Sequence, residues 1–388
     1  MKQLIFKTLL LWILVISSIG CFAQEIKHKV DDSIQFQGQL SGWAHYNFKP
    51  LNTLNLGIRY IPDLQYELKF AENHAIDVEA SANIMGNTNI RFPDSIDFTK
   101  SLKPYRLWVR YTTHHLEIRV GLQKINFGSA EILRPLMWFD QVDARDPLHL
   151  STGVYGALLR YYFINNAKLW LWTLYGNKKP KGWEVIPSNK NIPEFGGRFQ
   201  WPLSMGEVAL SYHHRTADSR NLNYPVAPYA EIGENRYGFD IKLDLTIGWW
   251  MEASLVSKTR DMGVFTNQEM INMGIDYTFG IGNGLNMSLE NLLSSYDTKT
   301  LSFENTTNIT ALSANYPINF INNMQVILYY DWTHHSLYNF VNWYQKFNKI
   351  TFYVMAYWNP ENNQYIYQQE SGQYYAGKGV QIMVVYNH

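Results

Sequence analysis

Residues 105–111 read Tyr-Arg-Leu-Trp-Val-Arg-Tyr, and after a short Thr113-His114-His115 turn residues 116–123 read Leu-Glu-Ile-Arg-Val-Gly-Leu-Gln. Side chains alternate across a strand, so this is a hairpin with two unlike faces. One face carries Leu107, Val109, Leu116, Ile118 and Val120. The other carries Arg106, Arg110, Glu117 and Arg119, and Arg160 joins it from the strand expected over residues 155–163. A water-soluble sandwich would turn the charged face outward and pack the apolar one, whereas a barrel in a membrane does the reverse.

The N-terminus separates the two. Lys2 and Lys7 precede an apolar run over Leu9–Ile16, followed by small residues and Cys21-Phe22-Ala23 before Gln24, the pattern of a cleaved secretory signal over residues 1–23. A lipid-modified Cys21 is the alternative at the same site. Cleavage after Ala23 removes the one cysteine, which leaves no disulfide, thiolate nucleophile or cysteine metal site. Beyond the signal no run of about 18 apolar residues could span a bilayer as a helix, so any crossing is made by strands. The aromatic content, 27 Tyr, 13 Trp and 20 Phe, suits girdles at the two bilayer edges. An aromatic-rich secreted sandwich or carbohydrate-binding domain is the bland alternative. Charges balance at 33 against 33, which gives no support to nucleic-acid binding.

The same alternation runs through the chain. Residues 24–33 are expected to form a short periplasmic lead, and residues 34–388 an all-β, antiparallel, up-and-down transmembrane barrel. Phe36, Leu40, Ala44 and Tyr46 oppose Gln37, Gln39, Trp43 and His45; Leu64, Tyr66 and Leu68 oppose Asp63, Gln65 and Glu67; Tyr237, Phe239, Ile241 and Leu243 oppose Arg236, Asp240 and Lys242. Pro62 on an apolar face predicts a bulge or a missing ladder bond. Residues 338–347 are apolar on both faces and fit the pattern least. Short turns near residues 72, 114, 165, 205, 248, 282, 322 and 348 alternate with polar links over 88–103, 124–152, 178–194, 217–234, 259–267, 296–305 and 359–377. Short periplasmic turns and long external loops are how such barrels are oriented. The count comes to about 18 strands, with 16 as the runner-up.

This pattern resembles Gram-negative outer-membrane porins, and most nearly the large-barrel phosphate-selective and alginate-export types. The terminal Gln381-Ile382-Met383-Val384-Val385-Tyr386 run is similar to the last strand that barrel-assembly machinery reads. Gly121-Leu122-Gln123-Lys124-Ile125-Asn126-Phe127-Gly128, followed by Arg134-Pro135 and Asp143-Ala144-Arg145-Asp146-Pro147, is similar to a hairpin-and-loop stretch of several such porins. The Cys21-Phe22-Ala23-Gln24 ending resembles Bacteroidetes signals. The resemblance implies the outer membrane, contact with its lipid and lipopolysaccharide, small hydrophilic solutes, and homo-oligomers as one arrangement open to the barrel.

The expected function is passive diffusion of small hydrophilic solutes, with size, field and hydrogen bonding as the means of selection. Expected pore-lining residues are Arg59, Arg106, Arg110, Glu117, Arg119, Arg160, Arg236, Asp240 and Lys242. They form either a basic ladder for anions or a wall of cross-strand ion pairs with neighbours such as Asp63, Glu67, Asp77, Glu79 and Asp244. The link over residues 124–152 is the longest, and its Leu136, Met137, Trp138 and Phe139 would be costly to leave in water. It is expected to fold inward, presenting Asp140, Asp143, Arg145 and Asp146 at a constriction opposite Arg106, Arg110 and Arg119. Three carboxylates near a proline do not define a calcium site. His114-His115, His213-His214 and His334-His335 point to opposite strand faces and cannot each chelate one ion. No metal, cofactor or enzymatic activity is expected. An adhesin or structural barrel is the alternative, and a barrel hydrolase using Ser336, His335 and Asp331 is a weaker one, since sequence neighbours are not a triad.

Overall fold

The computed structural model describes residues 31–388 except 50–51, 94, 221, 223–227 and 362–373. The signal expected over residues 1–23 lies outside the described residues. The first strands are long: β1 (Asp31–Lys49), β2 (Thr53–Ala71), β3 (His74–Arg91) and β4 (Ser95–Thr112). Four short ones follow: β5 (Leu116–Gln123), β6 (Val154–Tyr162), β7 (Lys168–Leu174) and β8 (Glu194–Leu203). Then come β9 (Gly206–Ala217), β10 (Ile232–Asp244), β11 (Gly248–Lys258), β12 (Asn267–Phe279) and β13 (Leu285–Asp297). The last are β14 (Thr306–Pro317), β15 (Asn322–Asp331), β16 (Ser336–Phe347), β17 (Ile350–Trp358) and β18 (Lys378–Asn387).

Each strand pairs antiparallel with its sequence neighbours, and β18 returns to β1 in a register that sets Gly42 against Val384 and Ala44 against Ile382. The result is a closed all-antiparallel barrel of 18 strands. Closure leaves the sheet without the open edges that would template aggregation. It also fixes the two faces. Phe36, Ile58, Val109, Leu171, Leu210 and Ile382 all point outward and are exposed, a surface that requires hydrocarbon rather than water around it. Leu210, 64% exposed on β9, is flanked by Phe199 and Phe239 in the ladder. Leu210→Arg is expected to cost about 2–4 kcal/mol if it lies at mid-depth, read as a lower urea midpoint of the folded, heat-modifiable band.

Three details differ from the sequence reading. The stretch 88–103 is not a loop: β3 and β4 continue through it, paired from Ile84↔Leu102 to Arg91↔Ser95, with a turn at residues 92–93. Its outward Ile90, Ile96, Phe98 and Leu102 keep the period of two, which the intervening polar residues conceal. The turns expected near 248 and 322 sit earlier, at residues 245–247 and 318–321. β1 begins at Asp31, inside the stretch expected to precede the barrel. At Pro62 the ladder lacks a pair but keeps register, since Tyr60↔Ile84 and Asp63↔Ser81 lie on one count; the missing N–H, not an inserted residue, is the cause.

The apolar core lies inside the barrel. Ile132 and Leu133 of the 124–153 segment pack against inward-facing Met270, Leu292, Ile309, Ile327, Tyr329 and Phe340 of β12–β16. Phe127, Leu136, Trp138 and Phe139 pack against Leu158, Trp172 and Leu174 of β6 and β7. This explains residues 338–347: β16 turns Leu337 outward, 49% exposed, while Tyr338 and Phe340 face the inward-folded loop.

Candidate functional site: the lumen and its inner loop

The chain leaves the wall after Gln123, whose amide donates to the carbonyls of Arg119 and Gly156 and holds β5 to β6 at the exit. The loop is then caught by two wall carboxylates. Glu252 of β11 accepts from the backbone N–H groups of Ser129, Ala130 (2.7 Å) and Leu136 (3.4 Å). Glu290 of β13 accepts from those of Glu131 (2.7 Å), Ile132 (3.1 Å) and Leu133 (2.6 Å). Such charge-assisted bonds satisfy loop donors that burial would otherwise orphan. Gly128, at φ 94°, makes the approach feasible, because a Cβ there would lie 2.4 Å from Glu252 Oε1. Trp138 Nε1 donates to Ser254 Oγ at 3.1 Å.

A second segment, residues 175–193, lies against the first. Gly182 adopts φ 49°, and a Cβ there would fall 1.6 Å from the Met137 carbonyl oxygen. Trp183 Nε1 donates to the Arg134 carbonyl at 2.8 Å. Beneath them lies a sealed ion-pair network. Arg215 bonds Glu234 (2.6 Å) and lies 3.3 Å from Glu184, Arg236 bonds Glu184 (2.6 Å) and Glu234 (2.7 Å), and Lys181 bonds Glu194 (2.9 Å). His213 Nε2 lies 3.2 Å from Glu194.

The structure divides the sequence-derived lumen residues into two groups. Arg110 pairs with Asp77 at 3.0 Å, Arg119 with Glu117 at 2.8 Å, and Arg160 lies 3.5 Å from the same Glu117. Aromatic faces support the guanidinium groups, Arg59 over Trp43, Arg110 and Arg119 over Trp108, and Arg160 over Trp170. Arg59, Arg110, Arg119 and Arg160 are half-buried on the inner face of β2–β6. Arg106 is buried and instead anchors the loop's return, donating to Ser151 Oγ (2.7 Å) and Ser151 O (3.1 Å). Arg236 and Asp240 do not meet water: Arg236 belongs to the sealed network and Asp240 receives a two-pronged bond from Arg198. Lys242 lies 3.9 Å from Asp244, near the short-turn end.

The four loop charges are likewise separated. Asp143 accepts from Arg145 Nε and Nη2 at 2.9 and 2.8 Å, and that guanidinium stacks on Tyr375. Asp146 caps a turn, accepting from the N–H groups of Leu148 (3.0 Å) and Leu150 (3.1 Å), with Arg59 nearby. Asp140 is 1% exposed and neither oxygen has a hydrogen-bond partner among the described residues. Burial holds its carboxyl above the ordinary range, opposed by Arg134, Lys124 and Arg106 nearby. The expected row of loop charges opposite Arg106, Arg110 and Arg119 is thus corrected. Asp77 and Glu117 already occupy Arg110 and Arg119, Arg145 turns back on Asp143, and Arg59 is the wall cation near Asp146.

Sequence reading missed Glu252 as a loop clamp and the sealed set of Lys181, Glu184, Glu194, Arg215 and Glu234. The available signal was strand parity: Glu234, Glu252 and Glu290 stand on inward positions. His213-His214 splits as expected across the faces of β9, His213 buried inside and His214 beside outward Asn235, whereas His114-His115 and His334-His335 lie in turns, not on strand faces. Ser336 Oγ donates to the His334 carbonyl (3.2 Å) while Asp331 holds the His334 ring (2.8 Å), so Ser336, His335 and Asp331 do not form a relay. Among the described residues no group of three or more His, Cys, Asp or Glu is placed to hold a metal ion.

No protein-family model and no curated protein sequence matches the chain. Its architecture is similar to that of solved outer-membrane channels. Salmonella typhi OmpF, solved in complex with daunomycin, superposes with a TM-score of 0.51 at 10% identity, over 92% of this chain and 97% of that one. Pseudomonas aeruginosa OccK5 (OpdH) gives 0.54 at 10% identity, over 92% and 98%. Acinetobacter baumannii OccAB1 gives 0.53 at 7% identity, over 95% and 98%. At such identities the shared property is the fold: a large antiparallel barrel of the porin kind.

Proposed function

We propose that the chain is a porin-like channel of the Gram-negative outer membrane, through which small hydrophilic solutes diffuse passively. The observation that carries this reading is the half-buried strip of ion pairs on the inner face of β2–β6, beside a lumen otherwise filled by its own loops. Water and solute are therefore confined to an eccentric path between that strip and the inner loop. An ion-paired wall of mixed sign presents a transverse field, favouring polar solutes over a bare cation or anion. The cleaved signal, contact with lipopolysaccharide, delivery by barrel-assembly machinery and homo-oligomerisation belong to the same reading, supported by the apolar outer face and the porin-like fold.

Planar-bilayer recording in a salt gradient tests it. Discrete conductance steps with a modest reversal potential are expected. Their absence from folded protein would favour the adhesin or structural alternative. Orientation is checked on intact cells with single cysteines, since the cleaved chain contains none. Lys178→Cys should react with an impermeant maleimide, and Phe320→Cys should not. The opposite result would invert the barrel.

A further inference from the structure

On the outward side of β2–β4 the wall is recessed. Pro62 of β2 and Pro104 of β4 both face outward, and neither has an N–H for the ladder. Opposite Pro62 the pairing with β3 skips from Tyr60↔Ile84 to Asp63↔Ser81, and opposite Pro104 the β3–β4 register shifts between Ser81 and Ala82. The outward residue between the two prolines is Ala82. A row of small side chains therefore crosses the sheet, with Leu64 and Leu107 in the row on one side and Leu102 in the row on the other. Those flanking rows are two strand steps, about 13 Å, apart. The result is a groove of ≈ 370 Å³, floored by Pro62, Ala82 and Pro104 and walled by Phe36, Leu64, Leu102 and Leu107. All four wall side chains are exposed. The lining offers almost no polar surface, whereas a bound water needs polar partners. Farther along β4, toward its turn with β3 and about 13 Å from Pro104, Lys100 also faces outward, opposite Gly86. Among the described residues no carboxylate pairs with it.

We propose that this groove seats one acyl chain of a membrane lipid whose anionic phosphate head is held by Lys100. It rests on the reading of the chain as a barrel in the outer membrane. An outward lysine is costly at the bilayer midplane and tolerated near its edge, which sets Lys100 at headgroup level and the groove in the hydrocarbon beneath it. A carbon-lined recess beside hydrocarbon fills with hydrocarbon, because an empty one forfeits the contacts of its lining. The tail alone would not distinguish one lipid from its neighbours, since all tails are equally apolar. The selecting contact is the lysine, whose ammonium donates a charge-assisted hydrogen bond to a phosphate oxygen. Head and tail are thereby fixed together, at a separation of about 13 Å along the strand that the upper part of an acyl chain spans.

The test is photolabelling of the folded barrel in phosphatidylcholine vesicles doped with phosphatidylglycerol whose acyl chain carries a diazirine, the adducts being located by peptide mass spectrometry. Adducts are expected to concentrate on Leu64, Ala82, Leu102 and Leu107 above all other outward positions, and unlabelled phosphatidylglycerol should compete for them. Lys100→Gln should weaken this labelling about fivefold, the loss of one lysine beside an anionic lipid head. Ala82→Phe, which fills the groove, should abolish the concentration; where that variant fails to fold, Lys100→Gln, at an exposed position, carries the test alone. Adducts spread evenly over the outward strands, or labelling unchanged in either variant, overturns the proposal. Conductance of the same vesicles separates it from the channel reading: a conducting barrel labelled evenly removes only the lipid site, and a non-conducting barrel labelled in the groove removes only the channel.

Discussion

A barrel lacking Leu136–Asp146 is expected to conduct about two-fold or more above the intact chain, as a large barrel relieved of its filling becomes an aqueous channel. The segment contains Leu136, Trp138 and Phe139, which fill the space in front of β6 and β7. It also contains Asp140 and Arg145, both buried. A gentler form of the experiment keeps the segment and removes its clamps. Glu290→Ala leaves the N–H groups of Glu131, Ile132 and Leu133 without their acceptor, at about 1–3 kcal/mol for each donor left buried. With Glu252→Ala added, single-channel current should become noisy and its mean should rise. Unchanged conductance in the deletion would place the limiting constriction outside this loop.

Arg215→Ala is expected to lower stability by about 3–5 kcal/mol, because it removes a cation from a buried ion network and leaves Glu184 and Glu234 to share Arg236. Arg215 is 1% exposed and binds Glu234 through both Nε and Nη2, at 2.6 and 2.9 Å. It also donates to Ser188 Oγ and the Ile186 carbonyl, so its loss loosens the 175–193 segment as well as the wall. The urea midpoint of the folded band reads the effect. Arg220→Ala is the matched surface change: its pair with Asp218 is exposed to solvent, and its removal should not shift the midpoint measurably. Equal tolerance of both would mean that the network is hydrated rather than sealed.

Strand number, closure and facing were legible because a period of two survives wherever lipid lies on one side. Leu64 against Asp63 and Val109 against Arg110 are readable by eye. Legibility failed where the inner solvent is not water. On β16 the lumen side meets Ile132, Leu133 and the other buried residues of the plug, so Tyr338 and Phe340 are as apolar as their outward neighbours. It also failed at β3 and β4, where Asn87, Asn89, Asp97 and Thr99 on the inward face made a strand pair look like a polar link. The inward fold of residues 124–152 could be argued from the cost of hydrating Leu136–Phe139. Its partners could not. Glu252 and Glu290 lie more than a hundred residues downstream, and only the curvature of the folded sheet brings them within reach of the loop's backbone.

The clamped loop has a consequence for how the molecule is made. β1 meets β18 across almost the whole chain, with Gln39 and Asn387 bonded at a separation of 348 residues, and contacts of such span form slowly. The Glu252 and Glu290 clamps hold the inner loop to the sheet at separations of 116 to 159 residues, so its docking closes far shorter circuits than the seam does. An unsealed sheet with the loop already seated would conceal Met270, Leu292 and Phe340 during the wait, whereas an empty ring would expose them to water from within. Loop docking ahead of seam closure is therefore the expected order, with the 124–153 segment as a mandrel for the wall and the seam as the last stitch.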